Sequence, residues 1–135
     1  MGRVEKNLYW VTDGTYQAAF LTTCEGVSNK VTHIVYSHHH ADHLGASSLF
    51  GRDVVRVGQI ETKKLLASEN DPARPLPDVT FDTDCALRVG GERVDLAWYG
   101  TNHTPTTSTS TSPTMTRSCW SISICLAGCR STASN

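Results

Sequence analysis

The chain has 135 residues, 39% of them hydrophobic, and a formal net charge of −1 from 12 Lys and Arg against 13 Asp and Glu. That length and apolar content suit one core, the near-zero charge argues against a nucleic-acid partner, and no apolar run is long enough to span a bilayer. Residues 1–10 carry Arg3 and Lys6 but no apolar leader core, so a cytoplasmic location is the default expectation. The five cysteines, Cys24, Cys85, Cys119, Cys125 and Cys129, form no Cys-x-x-Cys pair, and an odd count suits free thiols better than a disulfide framework. Cys24 and Cys85 sit beside strand-like runs and read as small buried hydrophobes.

In chain order, Leu8-Tyr9-Trp10-Val11 and the run Tyr16 to Leu21 are β-prone and flank Thr12-Asp13-Gly14-Thr15, which predicts a hairpin. Val31 to Tyr36 predicts a buried strand, with His33 simply near its start. Asp42 to Phe50 predicts a short helix. Val57 to Ala67, where Ile60, Lys63, Lys64 and Leu66 separate an apolar from a polar face, predicts a second helix. Asp71 to Pro77 holds three prolines and must be loop. Cys85 to Val89 and Glu92 to Trp98 alternate around Gly90-Gly91, a second hairpin that delivers Tyr99 to His103 as the loop after a strand.

The strand at Val31 to Tyr36 runs directly into His38-His39-His40-Ala41-Asp42-His43. Neutral imidazoles and carboxylates are the donors that borderline cations such as zinc prefer, and a catalytic ion keeps a position open for water. His38 and His40 alternate, so in an extended segment they face the same way. One tetrahedral ion cannot take every group here plus a ligand from elsewhere, so Asp42 and His43 serve a second position, and the spacing reads as half of a dinuclear site. An affinity tag would lie at a terminus and would carry no Asp-His after a buried strand.

The run Ser37-His38-His39-His40-Ala41-Asp42-His43-Leu44-Gly45 resembles the His-x-His-x-Asp-His signature of the metallo-β-lactamase-fold hydrolases, and Asn102-His103-Thr104-Pro105 resembles their next metal motif. The resemblance implies an α+β fold, the first half of a four-layer αββα sandwich, over residues 1–105. It implies that His38, His40 and His103 bind one zinc, that Asp42 and His43 bind a second, and that His39 fills a variable position. The implied activity is hydrolysis of a lactam, lactone, thioester or related ester by zinc-activated hydroxide, with Asp42 also able to take the nucleophile's proton. A small-molecule substrate is implied, with no nucleic acid and no membrane; nothing in the sequence speaks to oligomeric state.

Two departures qualify that expectation. After Cys24-Glu25-Gly26-Val27 the family pattern continues with a strand and a helix, whereas here Ser28-Asn29-Lys30 leads almost directly into Val31. From Thr106 to Ser118 the chain is nearly all Ser, Thr and Pro, where the family has a hairpin bearing a bridging aspartate. No metal ligand follows His103. Residues 106–135 therefore read as an irregular, disordered tail, as a real linker or as an out-of-frame translation.

The last reading has arithmetic behind it. One base earlier, the junction of Met115 and Thr116 must encode Asp, and that of Cys119 and Trp120 must encode Leu. With free wobble bases, the positions after Pro105 can read Asp-Asn-Ile-Tyr-Ile-Tyr-Phe-Pro-Asp-His-Asp-Thr-Leu-Met-Leu-Val-Asp. That restores a strand, a turn and a second strand ending in aspartate. As written, the chain is then an impaired hydrolase; the alternatives are a non-catalytic metal-binding remnant and an out-of-frame product with no stable fold.

Overall fold

The computed structural model describes residues 1–5, 8–12, 14–15, 17–22, 31–89, 92–101, 104–111, 118–120 and 124–127. The strands are β1 (Gly2–Glu5), β2 (Leu8–Thr12), β3 (Gln17–Thr22), β4 (Val31–Val35), β5 (Val55–Gln59), β6 (Val79–Phe81), β7 (Asp84–Val89), β8 (Glu92–Ala97), β9 (Thr109–Thr111), β10 (Ser118–Trp120) and β11 (Ile124–Ala127). The helices are α1 (Ala41–Leu44) and α2 (Ile60–Glu69), with a 3₁₀ turn at Ser47–Phe50. One sheet has the order β1-β2-β3-β11-β4-β5-β6 and the other β10-β9-β8-β7.

Period-2 alternation in β4 sorts its side chains between two cores. Val35 joins Leu8, Ala19, Leu21, Val57 and Phe81 of the larger sheet against Val89, Val94 and Leu96 of the smaller one. Ile34 and Tyr36 point the other way, packing with Leu44, Val54 and Leu66, where α1 and α2 cover the outer face. The layers are helix, sheet and sheet, the partial αββα arrangement expected. Each fully buried Leu or Val contributes roughly 1.5–3 kcal/mol relative to exposure, so the strand carrying the histidine loop is held from both sides.

Both expected hairpins form. β2 and β3 pair antiparallel from Leu8↔Leu21 to Thr12↔Gln17, and Gly14, at φ 105°, donates its N–H to Thr12 Oγ1 in the connection. β7 and β8 pair antiparallel up to Val89↔Glu92, and residues 90–91 lie outside the described residues. Asp71 to Pro77 is loop, as its prolines require.

Two helix boundaries differ from expectation. The helix expected over Val57 to Ala67 begins at Ile60, because Val57 is drawn into a parallel ladder against Val35 on one side and Val79 on the other. A β-branched run between two strands outweighs weak helical periodicity. The Gln59 side chain caps α2 by accepting from Glu61 N–H, and Asn70, left-handed at φ 49°, closes its end. The helix expected over Asp42 to Phe50 splits after Leu44, since Gly45 and two serines favour helix weakly and the Ser47 hydroxyl is held by Tyr36.

The stretch read as an irregular tail contains β9, β10 and β11, and Thr106, Thr107, Ser108, Thr109 and Ser110 are buried. β3 and β4 are consecutive in sequence yet not adjacent in the sheet. β11 lies between them, parallel to β3 (Ile124↔Ala19) and antiparallel to β4 (Ile124↔Val35). No helix among the described residues is long and apolar enough to cross a membrane.

Candidate metal centre

The histidine loop starts where β4 leaves the sheet. Tyr36 N–H donates to Val57 O over 2.8 Å, which carries the ladder one residue past the strand. Tyr36 is fully buried, and its hydroxyl lies 2.7 Å from Ser47 Oγ and donates to Pro75 O over 2.8 Å. Burial raises its pKa above the usual phenol value, with Ser47 and Arg56 opposing. Buried Arg56 donates to Val54 O, Ser47 O and Gly51 O, which ties the 3₁₀ turn beneath the loop to β5.

From this base the donors follow in order. His38 is fully buried, His39, His40 and His43 are half-buried, and Asp42 is exposed. Ser37 Oγ lies 3.0 Å from His38 Nδ1 and orients the ring through that nitrogen. The His38 ring centroid is 4.8 Å from that of His40 and 4.3 Å from that of His43. His43 Nε2 is 3.7 Å from Asp42 Oδ2. The structure therefore gathers His38, His40, Asp42 and His43 at one end of the larger sheet. His103 and Cys24 lie outside the described residues.

The donor types suit a borderline divalent ion. Among the described residues, no group of three or more His, Cys, Asp or Glu side chains is placed to hold an ion as it stands. The rings pack against one another, so proximity is present and convergence is not.

Sequence reasoning missed the supports of this loop. His39 Nδ1 lies 3.0 Å from Thr106 Oγ1, and its backbone N–H donates to the same oxygen. Arg74 Nη1 donates to His39 O, while Arg74 also pairs with Glu69 and Asp71. Burial lowers the His39 pKa, and His40 and Arg74 act the same way against Glu69. Ser108 N–H donates to Ser37 O over 2.9 Å. These partners lie far along the chain in Pro-rich and Thr-rich runs, where no local pattern marks them. Cys85 packs at the edge of the inter-sheet core with a free thiol, as a small hydrophobe.

No family model matches this sequence, and no curated protein matches it. Solved structures do. A metallo-β-lactamase from Pontibacter korlensis superposes with a TM-score of 0.58 at 20% identity, covering 83% of this chain and 66% of that one. The metallo-β-lactamase IND-7 gives 0.60 at 15% identity, covering 84% and 66%. A flavo di-iron protein from Thermotoga maritima gives 0.53 at 20% identity, covering 78% of this chain and 30% of that one. The chain spans about two thirds of the length of the metallo-β-lactamases it matches. With its helix-sheet-sheet layering and its histidine loop at the end of β4, this chain has the metallo-β-lactamase fold.

Proposed function

We propose that this chain carries the metal-binding part of a zinc-dependent hydrolase acting in the cytoplasm on a small molecule, a lactam, lactone, thioester or related ester. The observation that carries the proposal is the clustering of His38, His40 and His43 rings, beside Asp42, at the end of a strand buried on both faces. His38 and His40, with His103, hold the first ion, and Asp42 and His43 hold the second. Bound zinc supplies a water activated near neutral pH and polarises the substrate's carbonyl or phosphoryl oxygen. Ser37 orients the His38 ring through Nδ1, and exposed Asp42 takes a proton at its carboxylate. Residues 1–105 supply every ligand, and residues 106–135 support the site through Thr106 and Ser108.

A second reading, a non-catalytic remnant that binds one ion weakly, is favoured by the lack of a converged donor group among the described residues. Zinc titration with hydrolysis of a chromogenic ester or cephalosporin separates the two. Turnover abolished by chelator supports the hydrolase; zinc bound without turnover supports the remnant; neither binding nor turnover sinks both.

A further inference from the structure

β9 and β10 complete the smaller sheet, and Ser108 and the three residues of β9 are all polar. Ser108, Thr109 and Ser110 are 3%, 7% and 5% exposed, and Ser110 pairs with Leu96, itself 1% exposed in the inter-sheet core. Successive buried hydroxyls bring little apolar area to a core, and each needs an acceptor. Ser108 Oγ donates to Tyr36 O and Ser37 O, and Thr109 Oγ1 to Ala97 O, all over 3.3 Å. Local sequence and position in the fold disagree here, where natural chains are normally consistent.

We infer that the coding sequence changes frame after Pro105, and that the frame one base earlier encodes the apolar hairpin whose place β9 and β10 occupy. That frame allows Tyr-Ile-Tyr over positions 109–111 and Leu-Met-Leu over 118–120, the bounds of β9 and β10. Between them it allows Phe-Pro-Asp-His-Asp-Thr, a turn composition. The observed register, Thr111↔Ser118, Ser110↔Cys119 and Thr109↔Trp120, then sets Tyr against Leu, Ile against Met and Tyr against Leu. Aromatic and aliphatic residues directly opposite are pairs that stabilise antiparallel ladders. Of these strand positions, the leucine codon at 120 is forced by the present residues, and the others are allowed by free wobble bases.

The hairpin also has a consequence for the metal loop, resting on the function proposed above. β9 begins next to Ser108, whose N–H bonds Ser37 O, and Trp120 pairs with Thr109, so β10 returns to the end of the sheet it left. The earlier frame allows an aspartate codon at position 122, two residues beyond Trp120. The same frame reads Pro-Gly at 126–127, which does not suit a central strand, so β11 belongs to the present frame alone.

The test is the nucleotide sequence across codons 105–122. Wobble bases that spell tyrosine at 109 and 111, where His, Asn and Asp are equally allowed, with aspartate at 122, support the inference. A stop codon, or His, Asn or Asp at 109 and 111, overturns it. A full-length chain carrying the earlier-frame residues over 106–122 is then compared with the present chain by thermal unfolding and zinc content. A midpoint higher by at least roughly 4 °C is expected from the added apolar burial; an equal or lower midpoint counts against the hairpin. If the midpoint rises while zinc content stays at zero in both chains, the frame inference stands and the metal-site proposal fails.

Discussion

Arg74 donates from Nη1 to the carbonyl oxygen of His39 over 2.9 Å, across 35 positions of sequence. Arg74 is itself held by Asp71, through Nε at 2.8 Å, and by Glu69. The Pro-rich loop therefore acts as a brace on the backbone of the histidine loop rather than as a simple connection. Replacing Arg74 by Ala removes a charge-assisted bond to a partly buried carbonyl, and the expected loss is about 1–3 kcal/mol of stability. Urea unfolding measures it, and an unchanged midpoint would show that the brace is dispensable.

His38 and His39 are neighbours with different expected roles. His38→Ala should lower zinc content in elemental analysis of the folded protein. His39→Ala should leave stoichiometry unchanged, because that ring is engaged by Thr106 Oγ1. The reverse pattern would reassign the ligands.

Tyr36→Phe deletes the hydroxyl that meets Ser47 and Pro75 and leaves the buried Ser47 hydroxyl and the partly buried Pro75 carbonyl each short of a partner. The expected cost is about 1–2 kcal/mol. A urea midpoint within error of the parent would mean that water replaces the hydroxyl.

His33 predicts a pH effect of definite sign. Burial holds its pKa below 6.5 in the folded chain, so the unfolded chain takes up the proton first as pH falls. Its contribution to stability is complete above about pH 6.5 and declines as pH drops from there through the lower folded value. In urea titrations from pH 8 to pH 5, His33→Gln should flatten part of the decline. A His33→Gln profile as steep as the parent's would assign the effect elsewhere.

Leu96 and Leu49 separate core from surface. Leu96 is 1% exposed between the sheets, and Leu49 is 85% exposed on the 3₁₀ turn. Leu96→Ala should cost about 2–5 kcal/mol, and Leu49→Ala should stay within about 0.5 kcal/mol. Comparable losses at both sites would mean that Leu49 is covered in solution.

The amino-acid sequence alone determined the strand at Val31 to Tyr36, the two hairpins, the Pro-rich loop and the histidine loop, because each rests on local chemistry: β-branched runs, Asp-Gly and Gly-Gly turns, a ring that fixes φ, and donors spaced along an extended segment. Tertiary structure decided what local chemistry leaves open. Val57 went to a strand because Val35 and Val79 flank it, and Arg74, Thr106 and Ser108 became supports of the site because the sheets bring distant loops to one edge. The place of β11 between β3 and β4 was likewise outside the reach of sequence, since strand pairing is settled by which backbone edges remain unpaired once the chain has folded, and that is a property of the whole sheet.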